Sequence, residues 1–119
     1  MTTVLTPSIP SPLDATDLDE IHEGARECAA WLREDDALDL LEYHLEGVET
    51  LIAALARDIV ACDIVARLPT ERAQFGHDLY LAAAGTGAGI GDGRYRGILA
   101  PQEVDYLCAF AYRHEGSFM

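Results

Sequence analysis

The chain has 119 residues, half of them apolar, and a net charge of −13. That length and apolar content fit one domain with a packed core and exclude a disordered chain. No apolar run approaches the roughly eighteen residues that cross a bilayer, and the N-terminus lacks the charged and apolar regions of a signal peptide, so the expected setting is the cytoplasm, with no membrane partner.

Residues 1–13 hold Pro7, Pro10 and Pro12 among Ser and Thr. Each proline removes a donor and pushes its predecessor toward extended geometry, which predicts an extended or disordered arm ahead of a single helical domain over 14–119. Asp14 to Arg33 reads as a helix. Leu18, Ile21, Ala25, Cys28 and Leu32 recur at spacings of three and four, Thr16 or Asp17 can cap the start, and Trp31 beside the stripe is an expected core anchor.

After the polar break Glu34-Asp35-Asp36, the same spacing returns at Leu38, Leu41, Leu45 and Val48, then at Ile52, Leu55, Ile59 and Cys62. One straight helix from Asp36 to Arg67 would be about 48 Å long at ~1.5 Å per residue, so a break or kink is expected near Gly47. Pro69 stops the run. Glu71 to about Ala84 reads as a further helix capped by Thr70 and ended by Gly85, with a strand over Asp78–Ala82 as the rival.

The segment Gly85–Gly97 contains six of the ten glycines and predicts an irregular loop. Beyond it, Val104, Leu107, Cys108 and Ala111 fit a helix with Pro101 in its first turn. Val104, Tyr106, Cys108, Phe110 and Tyr112 fit a strand almost as well. The expected fold is mainly α: a compact domain of four to five helices with a Gly-rich loop, leaving room for a short C-terminal β-hairpin.

The acid is unevenly placed. From Asp14 to Asp63 fifteen Asp or Glu face three Arg, whereas from Ile64 onward six face five. All eight basic residues are arginine, and the chain has no lysine and no asparagine, a composition that a GC-rich coding sequence gives. Such a field repels nucleic acid and membrane surfaces and attracts a basic partner in a salt-sensitive way. The plainer reading is a solvated face that keeps the protein soluble.

The Gly-rich loop lacks the strand before it and the lysine that a phosphate-binding loop uses. His77 and Asp78 are neighbours on a helix and point in different directions, which weakens them as a base and its orienter or, with Asp92, as metal ligands. His22, His44 and His114 have no metal-ligand spacing, and no C-x-x-C pair exists. Three cysteines without an export signal argue against a disulfide scaffold; Cys28, Cys62 and Cys108 each fall on an apolar face and read as small buried hydrophobes. No cofactor, metal or catalytic residue is expected.

The segment His77–Gly93, HDLYLAAAGTGAGIGDG, resembles a signature of small proteins encoded by tailed phages and integrated mobile elements, H-D-F-W-L-T-R-N-G-H-G-A-G-F-W-D. His77, Asp78, Leu81, Gly85, Gly87, Ala88, Gly89 and Asp92 match without a gap, and Tyr80 stands at an aromatic position. Ala25–Leu32 also looks like the family's R-x-D/E-C-A-x-F-L helix. The T-R-N-G-H core reads Ala82, Ala83, Ala84, Gly85, Thr86 here, and the F-W pair reads Ile90, Gly91. The glycines and the frame of His77, Asp78 and Asp92 remain, which implies a fold-keeping role for the motif.

The resemblance implies a bacterial host cell as the setting. The expected function is a non-enzymatic anti-defence protein, anti-CRISPR-like, that binds a basic protein or nucleoprotein complex of the host and no free nucleic acid. Its expected contacts are Asp35, Asp36, Asp39, Glu42, Glu46 and Glu49, because carboxylates can pair with the arginines and lysines that otherwise hold phosphates. The alternative is a helical interaction or structural module that forms a homodimer. An enzyme built on His77, Asp78 and Asp92 ranks last.

Overall fold

The computed structural model describes residues 13–34, 37–86, 89–92 and 95–118, without the side chain of Asp92. These residues form five α-helices: α1 (Ala15–Leu32), α2 (Leu38–Arg57), α3 (Ile59–Ala66), α4 (Arg72–Ala83) and α5 (Pro101–Arg113). Short 3₁₀ turns lie at Ile90–Asp92 and Glu115–Phe118. The fold is mainly α, and among the described residues there is no β-hairpin. The pairing outside helices is an isolated bridge between Arg96 and Leu99.

Some helix ends follow local chemistry, but the expected Thr70 cap of α4 does not form: Glu71 stands at the cap position, without a side-chain hydrogen bond, and the helix begins at Arg72. Asp14 caps α1 in place of Thr16 or Asp17: its side chain accepts the Asp17 N–H at 2.8 Å, and Asp17 accepts the Asp14 N–H at 3.3 Å. Leu13, just before the cap, is buried, so the body of the domain begins there; the rest of the expected arm, 1–12, lies outside the described residues. Pro101 opens α5, where its missing N–H costs no hydrogen bond. The Ala100 N–H donates to Glu103 Oε1 at 3.0 Å.

The expected break at Gly47 is absent. Helix α2 runs through it for 20 residues and ends at Asp58, whose carboxylate takes the Ala61 N–H at 3.0 Å and starts α3. Gly47 serves packing instead. A Cβ there would stand 2.7 Å from the Phe118 ring, so the glycine makes room for the C-terminal 3₁₀ turn. Phe118 lies 5.4 Å from both His44 and Tyr80, ring centre to ring centre, and the Tyr80 hydroxyl and His44 Nδ1 are 2.9 Å apart.

Helices α1 and α4 are the tightest pair. A Cβ on Gly24 would meet the Ala73 carbonyl oxygen at 2.0 Å, and one on Gly76 would meet the Ile21 oxygen at 2.1 Å. Only glycine permits that approach of two backbones. Around this contact Ile21, Ala25, Cys28, Phe75 and Leu79 are all buried. Arg72 fastens the start of α4: its guanidinium donates to the Val65 carbonyl at 3.0 Å and lies 3.4 Å from Asp17.

The buried positions of Cys28 and Cys62 agree with their reading as small hydrophobes, and Cys108 is half-buried. Trp31 departs from expectation: it is 65% exposed. It sits beside the α1 stripe rather than on it, and Gly24, Ala25, Cys28 and Ala29 already fill the buried face.

Candidate functional site

Two groups of residues drew attention in the sequence, and the structure sends them to opposite environments. The acidic group lies on the surface. Asp39, Glu42, Glu46 and Glu49 are all exposed on α2, at spacings of three, four and three, so they form one row on one face. At ~1.5 Å rise per residue the row is about 15 Å long. Glu42, Glu46 and Glu49 flank Leu45 in a shallow depression of about 280 Å³. Asp35 and Asp36, expected to extend the row, lie outside the described residues. On α1, Asp19, Glu20, Glu23 and Glu27 are exposed as well.

The signature group lies in and around α4 and serves the fold. Asp78 is fully buried. It accepts a short hydrogen bond from the Tyr95 hydroxyl on Oδ2 and one from Gln74 Nε2 at 3.2 Å on Oδ1. Tyr95 is itself buried and packs edge-on to Phe75 at 6.4 Å. His77 is half-buried, and no hydrogen bond joins it to Asp78.

Gly85 ends α4 with φ +76°. Its N–H bonds the Ala82 carbonyl at 3.3 Å and the Thr86 N–H bonds the Leu81 carbonyl at 3.2 Å. This is the Schellman pattern, which places a left-handed residue just past the helix and favours glycine there. Gly89, at φ +92°, lies against the same helix: a Cβ would stand 2.3 Å from the Asp78 carbonyl oxygen. Asp92 is in the 3₁₀ turn, and its side chain and Gly87 lie outside the described residues. The motif therefore holds its loop onto α4 through Asp78, Gly85 and Gly89.

No family model, no curated protein and no solved structure matches the chain.

Sequence reasoning missed Tyr95 as the partner of Asp78. A signal was present, because Asp78 lies three residues after the core residue Phe75 and beside Leu79. An acid on an apolar helix face needs a donor from elsewhere. It also missed Gly24 and Gly76 as the contact between α1 and α4. Among the described residues no group of three or more His, Cys, Asp or Glu is placed to hold a metal ion, and no helix is long and apolar enough to cross a membrane.

Proposed function

We propose that this is a non-enzymatic anti-defence protein of a phage or mobile element, anti-CRISPR-like, that binds a basic nucleic-acid-binding effector of its host through the acidic face of α2. The observation that carries the reading is the exposed row Asp39, Glu42, Glu46 and Glu49 on a rigid helix. A nucleic-acid strand carries one charge per ~3.4 Å, and the helix offers four charges in about 15 Å. Guanidinium groups set to hold phosphate also accept carboxylate with the same forked geometry. The burial of Asp78 within the core supports a scaffold role for the phage-like signature.

The test is affinity capture from a bacterial lysate that holds active nucleic-acid-targeting defence complexes, at low and then high salt. The expected result is one basic nucleoprotein effector at low salt, its loss at high salt, and no binding of free DNA. Failure to recover a nucleic-acid-binding complex at low salt, or direct binding to DNA, overturns the reading. A helical module of phage origin that pairs with its own copy is a second reading, favoured by the exposed Leu38 and Trp31. A stable dimer in sedimentation that survives neutralisation of the α2 row would replace the first.

A further inference from the structure

The opposite end of α2 carries basic and apolar residues instead of the acidic row. A groove of about 480 Å³ lies between the last turn of α2, the start of α3 and the last turn of α5. Ile59 and Val60 line it and are 62% and 51% exposed, with Phe110 behind them. Arg57, Arg113 and His114 also line it. Burial, together with the charges of Arg113 and Arg57, holds the His114 imidazole below its ordinary value, as expected where three basic groups converge.

Asp58 is the carboxylate in this lining, and its oxygens are occupied. It caps the Ala61 N–H at 3.0 Å and accepts the Tyr106 hydroxyl at 2.9 and 3.0 Å. Its Oδ2 forms an ion pair with Arg113 Nη2 at 3.7 Å, and the Arg113 guanidinium lies over the Phe110 ring at 5.8 Å while the side chain stays mostly exposed. Arg57 has no carboxylate within ion-pair distance among the described residues. The α2 row does not cancel this charge. Glu49 is eight residues before Arg57, about 12 Å along the helix at ~1.5 Å per residue, and charges are screened beyond ~8 Å at physiological salt.

We infer that this groove binds a carboxylate carried on an apolar group, with the carboxylate between Arg57 and Arg113 and the apolar part on the exposed Ile59 and Val60. Guanidinium forks match the planar carboxylate, and a singly charged anion meets the least repulsion from a protein of net charge −13. The carboxylate can belong to a free small acid or to the C-terminus of a peptide that ends in an apolar residue. The inference does not depend on the function proposed for the α2 row.

The experiment is an NMR titration of the full chain with three probes: 4-phenylbutyrate, the tripeptide acetyl-Ala-Ala-Leu as the free acid, and the same tripeptide as its C-terminal amide. The expected result is saturable shifts at Arg57, Ile59, Val60 and Phe110 with a Kd below about 1 mM for at least one acid. The amide should bind at least about tenfold more weakly, a factor equivalent to roughly 1.4 kcal/mol. Tighter binding of the tripeptide acid assigns the groove to peptide C-termini, and tighter binding of phenylbutyrate assigns it to small acids. Arg57→Gln and Ile59→Ser replace exposed residues, and each should weaken the acid about fivefold or more. The inference is overturned by no saturable shift with either acid, by an amide that binds as tightly as a tripeptide acid that does bind, or by unchanged acid binding in Arg57→Gln.

Discussion

Tyr95 donates its hydroxyl hydrogen to Asp78 across seventeen residues of chain, and neither side chain reaches solvent. This bond joins the glycine loop to the centre of α4. Through it Tyr95, a residue of the irregular segment, becomes part of the core.

Tyr95→Phe keeps the ring against Phe75 and removes the donor. A buried carboxylate that loses a hydrogen bond costs about 1–3 kcal/mol. The unfolding free energy from urea titration should fall by that amount, and the double-mutant cycle with Asp78→Asn should show coupling of about 1 kcal/mol or more. A loss below about 0.5 kcal/mol would mean that the bond contributes little to stability.

Gly24→Ala and Gly76→Ala set two effects against each other. Alanine gains about 1 kcal/mol over glycine in a helix interior. The new Cβ would stand 2.0–2.1 Å from a carbonyl oxygen of the facing helix, and backbone cannot yield as a side chain does. Overpacking of about 1–3 kcal/mol or more should win, giving a net loss in thermal unfolding for both variants. A gain in Tm for either would show that α1 and α4 are farther apart than described.

The thiols supply a pH test. Burial, with the nearby charge of Asp78, pushes Cys28 up to about 11 from 9.0. In the unfolded chain the thiol ionises from about pH 9 upward, while the native thiol keeps its proton. The native state therefore binds more protons in that window, and stability falls as pH rises from 9 toward 11. Wild type should lose more stability than Cys28→Ala over that rise in urea titrations. At pH 8 a thiol reagent should leave Cys28 and Cys62 unreacted in the native protein and label both in denaturant. Parallel pH curves for the two proteins would remove the burial argument.

Helix α1 was legible because its apolar residues recur at three and four behind an Asp. Helices α4 and α5 were less so, because 78–82 and the apolar residues of 104–112 also fit a strand, and Gly85 and Pro101 were the signals that favoured helix. Gly47 was not legible, because a helical glycine marks either an end or a close contact, and the deciding group, Phe118, lies 71 residues away. Trp31 was misread because its size suggested burial while its position lies off the stripe. In the candidate site, exposure of Asp39, Glu42, Glu46 and Glu49 followed directly from helical spacing. The Asp78–Tyr95 bond did not, since nothing local ties a tyrosine in a loop to an acid on the preceding helix. The groove at Arg57 and Arg113 was also hidden, because its walls come from three helices.

The central claim is that the α2 row, rather than net charge alone, makes the interface. Two variants of equal charge separate these: Asp39→Asn, Glu42→Gln, Glu46→Gln and Glu49→Gln on α2, against Asp19→Asn, Glu20→Gln, Glu23→Gln and Glu27→Gln on α1. The measurement is recovery of the basic effector in low-salt capture, with circular dichroism to establish that both variants are folded. The account predicts loss of capture for the α2 variant and retention for the α1 variant. Equal retention, or equal loss, would contradict it.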